Sequence, residues 1–213
     1  MSQKYVLVIG DGQNYYRPFR KFGPFSQDQN LFNQPESIRL VVFTGGADIS
    51  PSLYGHKPST MTWCTPRRDV YELLAYRRAR KHNIPIAGIC RGAQFLCAMA
   101  GGTLFQHVEG HACSSLHPIR TWDGRTFDVT STHHQMQNPP ASAKILAWSE
   151  TRRSHIYIGE DDKELEPPKY EYECVHYPNI NAIGMQYHPE MMSIYSHGFQ
   201  FPEELVGNYL INR

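Results

Sequence analysis

The run Gly88-Ile89-Cys90-Arg91-Gly92-Ala93-Gln94, directly after the short apolar stretch Ile84-Pro85-Ile86-Ala87, constrains the fold of this chain more than any other feature. An apolar run of strand length that ends at a glycine and passes straight into a helix-forming sequence predicts a buried strand, a sharp turn and a helix from near Arg91. Such strand–helix alternation belongs to α/β proteins with a parallel sheet. Cys90 falls in the turn, flanked by Gly88 and Gly92, as in a G-x-nucleophile-x-G elbow with Cys in place of Ser. Small flanking residues let the backbone take a strained turn. The following helix offers unpaired N–H groups and the positive end of its dipole, which together favour an anion at the sulfur. By itself the motif also fits a buried Cys that packs as a small hydrophobe.

Two further segments tilt the reading toward chemistry. His188-Pro189-Glu190 follows the apolar run Ala182-Ile183-Gly184-Met185. Side chains two apart share one strand face, so Glu190 can hold one imidazole nitrogen of His188 while the other points at a neighbour. That is the base-and-orienter half of a triad, although a surface His–Glu pair at a turn has the same spacing. Gly45-Gly46 follows Leu40-Val41-Val42; the pair lets a backbone amide approach a ligand, and such an amide, with the N–H of Arg91, makes an oxyanion hole.

With these residues in place, the chain resembles the class I glutamine amidotransferase superfamily, most nearly its gamma-glutamyl hydrolase branch, which includes gamma-glutamyl-gamma-aminobutyrate hydrolase. The resemblance runs in order through Gly45-Gly46-Ala47-Asp48-Ile49-Ser50-Pro51-Ser52-Leu53-Tyr54-Gly55, Arg68-Asp69 with Glu72, the Cys90 elbow, Gly101-Gly102-Thr103-Leu104, Ser131-Thr132-His133-His134-Gln135 and His188-Pro189-Glu190. It covers the chain from about residue 40 to residue 190. It implies a three-layer α/β sandwich, flavodoxin-like, with a mostly parallel central sheet flanked by helices and carrying antiparallel additions, as a single domain over residues 1–213. It implies Cys90 as nucleophile, His188 as general base and Glu190 as its orienter. Gly46 and Arg91 fall at the oxyanion-hole amides, with Gly45 and Ala47 of the same turn as alternative donors to Gly46. Gly45, Gln94, His133, His134 and Gln135 fall on the glutamyl pocket.

The implied activity is hydrolysis of the gamma-glutamyl amide bond of glutamine or of a gamma-glutamylated amine through a thioester, with a small-molecule substrate and no cofactor. One alternative is a glutaminase subunit that passes ammonia to a synthetase or amidoligase partner; the chain has no G-x-x-x-x-G-K-[ST] loop of its own for ATP. A second is a non-catalytic binding module on the same scaffold.

Composition narrows the remaining classes. The 213 residues suffice to bury a full core, and 21 basic against 20 acidic residues leave a net charge of +1 with no basic stripe for nucleic acid. Apolar runs are too short to span a membrane, and residues 5–9 read as a first strand rather than a signal segment. Five cysteines, Cys64, Cys90, Cys97, Cys113 and Cys174, with no C-x-x-C pair, suggest a reduced, cytoplasmic protein.

Periodicity predicts strands at 5–9, 40–43, 126–131, 144–148, 156–158, 172–177 and 182–187. Helices are expected at about 69–82, at 92–100 and from Pro202 to about 211. Asp69 serves equally as a helix cap or as a site neighbour. Segment 10–37 is a long polar and aromatic stretch with a weak helical pattern; it and 107–125 read as variable loops that border the cleft, and 159–169 as a solvated acidic connector. His107, His111, Cys113 and His117, with His133-His134, raise a metal site. Gly110 and the untidy spacing argue against it, so no metal is expected.

Overall fold

Alternation along the first strand sets up two buried faces. The structure, a computed structural model, describes residues 3–212, the Ser114 side chain excepted. In β1 (Tyr5–Ile9), Val6 and Val8 join one apolar cluster while Leu7 and Ile9 join another on the opposite side, as the two-residue period of a strand requires. The remaining strands are β2 (Phe25–Ser26), β3 (Ile38–Phe43), β4 (Ile86–Ile89), β5 (Thr103–Phe105), β6 (His107–Val108), β7 (Ala112–Thr121), β8 (Thr126–Thr132), β9 (Met136–Asn138), β10 (Lys144–Ser149), β11 (Tyr157–Ile158), β12 (Tyr172–Tyr177) and β13 (Ala182–Met185). Among the described residues three α-helices accompany them, α1 (Pro66–Lys81), α2 (Arg91–Met99) and α3 (His197–Val206), the last continued by a π-helical turn at Gly207–Ile211.

Nine strands form one sheet in the order β2-β1-β3-β4-β13-β12-β10-β7-β8. The first five run parallel, and the last four extend the sheet antiparallel. Residues of α1 and α2, among them Ala75, Ala79, Phe95 and Leu96, pack on one face. The 3-10 stretch Gln13–Phe22 and α3 supply Phe19, Phe199, Phe201 and Leu205 to the other. The result is the three-layer α/β sandwich expected from the sequence.

The helix starts have local causes. Pro66 opens α1 at its first turn, where a missing N–H costs nothing, and Arg78, Arg80 and Lys81 close it at the negative end of the dipole. α3 begins five residues earlier than the Pro202 signal suggests, because Ser196 caps it and accepts from the Phe199 N–H. Pro202 therefore lies inside the helix. The carbonyl it cannot bond, that of Gly198, accepts instead from the Tyr187 hydroxyl at 2.9 Å. Residues 107–125 also differ from expectation: most of the segment is strand, not loop. Pro118 and the polar run around it suppress a strand signal, but β10 and β8 pair on either side, and the register shifts between Cys113 and His117. No helix among the described residues is long and apolar enough to cross a membrane.

Candidate active site

Three neighbouring strands of the parallel half, β3, β4 and β13, end at the same edge of the sheet. Open α/β sheets form their sites at such carboxyl ends. The residue just past β4 is Cys90, the segment past β13 brings His188, and the turn past β3 brings Gly45-Gly46. Register alone thus collects residues more than 140 positions apart.

Cys90 has φ +50° and ψ −106°, a conformation that a side-chain-bearing residue adopts at a cost of ~1–3 kcal/mol. The turn is over-determined around it. The Cys90 N–H donates to Met185 O at 2.7 Å. A Cβ on Gly88 would sit 2.4 Å from Gly92 O, and one on Gly92 would sit 2.3 Å from Phe43 O, so both elbow positions exclude larger residues. α2 starts immediately after Cys90 and points its N-terminus at this place.

His188 Nδ1 donates to Glu190 Oε1 at 2.6 Å, and the Cys90 sulfur lies close enough to act on the ring through a hydrogen bond and through charge. All three residues are buried, with Cys90 6%, His188 7% and Glu190 5% exposed. Burial by itself would lower the His188 pKa. The combined pull of Cys90 and Glu190 outweighs it and pushes the ring up to about 10. The backbone is pinned as firmly: the His188 N–H donates to Thr130 Oγ1 at 2.9 Å, that hydroxyl donates to His188 O at 3.1 Å, and Arg17 Nη1 donates to Glu190 O at 2.7 Å.

This raised pKa has a consequence for stability. An unfolded His titrates near 6.5, so the folded chain holds the extra proton between that value and about 10. The stabilising share of His188 is complete below about 6.5 and is lost as pH rises through about 10. Urea midpoints taken across this window should fall with pH in the wild type. In Glu190→Gln, which removes one of the two groups holding the proton, the slope should flatten; an unchanged slope would place the titration elsewhere.

The Gly45–Asp48 turn is fixed from beneath by buried charge. The Arg68 Nη2 donates to Thr44 Oγ1 at 2.9 Å and to Gly45 O at 2.8 Å, while Arg68 Nε donates to Glu72 Oε1 at 2.8 Å. Arg91, fully buried, donates from Nη1 to Ala47 O at 2.7 Å and from Nη2 to Asp69 Oδ1 at 2.7 Å, and pairs with Glu72 Oε2 at 3.1 Å. Asp69 also accepts from Ser50 N and Ser50 Oγ. The alternative left open by the sequence is thereby settled: Asp69 belongs to the network under the turn and does not cap α1. Gly46 has φ +144°, and a Cβ there would meet Arg68 Nη1 at 2.1 Å; a Cβ on Gly45 would meet the Tyr15 hydroxyl at 2.6 Å and His188 Cε1 at 2.9 Å. The turn therefore lies directly against the imidazole.

The expected pocket residues divide. Gln94 Nε2 donates to Gln135 O at 3.1 Å, and His134 Nε2 pairs with Asp48 Oδ1 at 3.1 Å, so the 133–135 segment spans from α2 to the Gly45–Asp48 turn. The hydrogen bond to Asp48 raises the His134 pKa. His133 turns away: its ring packs on His111 with centroids 4.7 Å apart, and burial drives its pKa well below the ordinary value. Tyr15 was not legible from the sequence. It comes from the 3-10 stretch in segment 10–37, and its ring stands 6.1 Å from that of His188. Burial, reinforced by the charges of Glu190 and Cys90, raises its pKa, so its hydroxyl stays protonated. No periodicity marks Tyr15, and only tertiary contact reveals it.

Comparison with known proteins agrees with the architecture. Residues 24–152 match the Peptidase C26 family. The chain is 39% identical over 129 residues to the glutamine amidotransferase-like protein YvdE homolog of Lactococcus lactis subsp. cremoris, covering 57% of this chain and 66% of that one. It is 36% identical over 179 residues to protein NtpR of Enterococcus hirae, covering 79% and 73%. Among solved structures, a glutamine amidotransferase from Thermotoga maritima superposes with a TM-score of 0.60 at 18% identity, covering 89% of this chain and 77% of that one, which shows a shared fold. The chain belongs to the Peptidase C26 family, within the class I glutamine amidotransferase-like superfamily. Its matches span 66%, 46% and 39% of three curated relatives, less than two thirds of each.

Proposed function

We propose that this chain is a cysteine-dependent hydrolase of the glutamine amidotransferase type that cleaves the gamma-glutamyl amide bond of glutamine or of a gamma-glutamylated amine. One observation carries the reading: the strained Cys90 turn at the N-terminus of α2 faces an imidazole whose far nitrogen is held by Glu190 at 2.6 Å. Membership of the Peptidase C26 family supports it.

In the first step the Cys90 sulfur anion attacks the carboxamide carbon and forms a C–S bond. The oxyanion that develops is placed against the Gly46 and Arg91 backbone N–H groups, where fixed donors act on charge that exists only in the transition state. Arg91 contributes through its N–H at the first position of α2, which has no intrahelical acceptor; its guanidinium is committed to Asp69 and Glu72. As the C–N bond breaks, His188 passes its Nε2 proton to the leaving nitrogen. A water then attacks the thioester while His188 takes its proton, the C–S bond breaks, and glutamate leaves. Glu190 keeps Nδ1 protonated so that Nε2 alone exchanges protons. Gln94, His134 and Gln135 line the glutamyl side, and Tyr15 caps the imidazole.

The test is a screen of gamma-glutamyl amides with the purified chain, products identified by mass. The expected result is release of glutamate together with a defined amine. A screen with no product, coupled with no labelling of Cys90 by a glutamine-analogue electrophile, would favour the non-catalytic scaffold and overturn the proposal. A second reading, a glutaminase subunit that hands ammonia to a separate synthetase, is favoured by one feature: Met61, Trp63, Val70, Tyr71 and Leu74, all between residues 61 and 74, leave apolar side chains exposed, Trp63 to 78%. It predicts slow glutaminase turnover that rises when a synthetase is added.

A further inference from the structure

We propose that His111, His133 and Glu173 form a binding site for a single divalent transition-metal ion, with zinc the best fit to the donor set. The three residues come from three places: the residue before β7, the residue after β8, and β12. The sheet brings one ligand atom of each to within 4.8 Å of the others. All three are buried, at 0%, 4% and 0% exposure.

The hydrogen bonds around them leave ligand atoms over. The His133 Nδ1 donates to Gln135 O at 2.8 Å. Its Nε2 is therefore an unprotonated lone pair, and among the described residues no group donates to it. His111 sets its Nε2 3.3 Å from Glu171 Oε2, while its Nδ1 lies 3.3 Å from Ser131 Oγ and 4.0 Å from Glu173 Oε1, so the Ser131 hydroxyl would have to turn away from Nδ1 on metal binding. Glu173 Oε1 is held by His117 Nε2 at 2.9 Å, while Glu173 Oε2 has no hydrogen-bond partner among the described residues. Buried polar atoms in folded proteins nearly always find a partner. Here two such atoms belong to neutral-imidazole and carboxylate ligands in one cluster.

The surroundings have the form of a metal's outer shell. Ligating histidines typically donate their second nitrogen to a carboxylate or a carbonyl, as His133 does to Gln135 O at 2.8 Å, and His111 Nε2 lies 3.3 Å from Glu171 Oε2. Two imidazoles and a carboxylate suit zinc. Ligand atoms around tetrahedral zinc sit ~3.3 Å apart for bonds of ~2.05 Å, so the widest pair, at up to 4.8 Å, must close by about 1.5 Å on binding. Cys113 takes no part; its sulfur lies 3.2 Å from Arg153 Nη2. The site is closed to solvent and would act as a staple across β7, β8 and β12, with Thr130 of the same β8 holding the His188 backbone.

The test uses the untagged chain, stripped with a chelator and titrated with Co2+ and then Zn2+. The expected result is one Co2+ per chain with the intense visible absorption of a tetrahedral N/O site, displaced by Zn2+. Zn2+ should also raise the thermal midpoint. Cys90→Ser should bind as the wild type does. His133→Ala and Glu173→Gln should lose binding, and Glu171→Gln should weaken it ~10–100-fold. The wild-type stoichiometry decides the matter even if a variant folds poorly. A wild-type chain that takes up no metal overturns the proposal, as does uptake that survives both His133→Ala and Glu173→Gln or that vanishes with Cys90→Ser.

Discussion

Cys90→Ala should abolish glutamate release, with kcat falling roughly 10⁴–10⁶-fold, the scale seen when a member of a catalytic triad is removed. The argument is chemical and local. Alanine keeps the Cβ and leaves the turn between β4 and α2 in place, with the Cys90 N–H bond to Met185 O at 2.7 Å retained. Only the sulfur goes. Substrate affinity should change little, so an unaltered dissociation constant for a gamma-glutamyl amide beside a lost kcat is the signature. Residual turnover within tenfold of wild type would remove Cys90 from the reaction. The same position offers a second readout. Since φ is +50°, Cys90→Gly should be more stable than Cys90→Ala, by ~1 kcal/mol after the entropic cost of glycine is set against relief of the turn. The strain is then a cost that the fold carries to hold the sulfur clear of the sheet.

Arg91→Ala should be the most destabilising single substitution in the chain outside the apolar core. The guanidinium is fully buried against Asp69 and Glu72, which are themselves buried. Breaking such a pair from one side leaves uncompensated charge and typically costs ~3–5 kcal/mol. Arg68 still reaches Glu72 and Ser50 still reaches Asp69, which places the expected loss at the lower end of that range. Urea unfolding measures it. Activity should fall as well, because Arg91 Nη1 also fixes Ala47 O beside Gly46. A variant with wild-type stability would mean that the carboxylates find other partners. The contrast with Cys90→Ala is diagnostic: one loses chemistry with the fold intact, the other loses the fold's support for the site.

Legibility in the sequence followed interaction range. The elbow at 88–94 could be read because its cause is local: an apolar strand, two glycines where a Cβ would meet backbone, and a helix to follow. The parallel strands β1, β3, β4 and β13 could be read because burial on both faces leaves continuous apolar runs, whereas the two-residue edge strand β2 leaves no such run. β7 could not, since Pro118 and its polar neighbours form a strand only when β8 and β10 flank them. Tyr15 could not either, because nothing in segment 10–37 foretells a ring 6.1 Å from that of His188. The early histidines drew attention to 107–117, but their spacing pointed nowhere, since Glu171 and Glu173 lie more than fifty residues further on.

The sequence by itself determined the strand–turn–helix unit, the two-faced parallel sheet and the residue types able to do thiol chemistry, for these depend on neighbours within a few positions along the chain. Only the tertiary structure decided that Asp69 supports a turn instead of capping a helix, that His133 faces a buried acidic cluster, and that Cys90 meets His188. Those outcomes follow from the order in which strands pair, and pairing is a contest of burial and hydrogen bonding across the whole chain that no short stretch encodes.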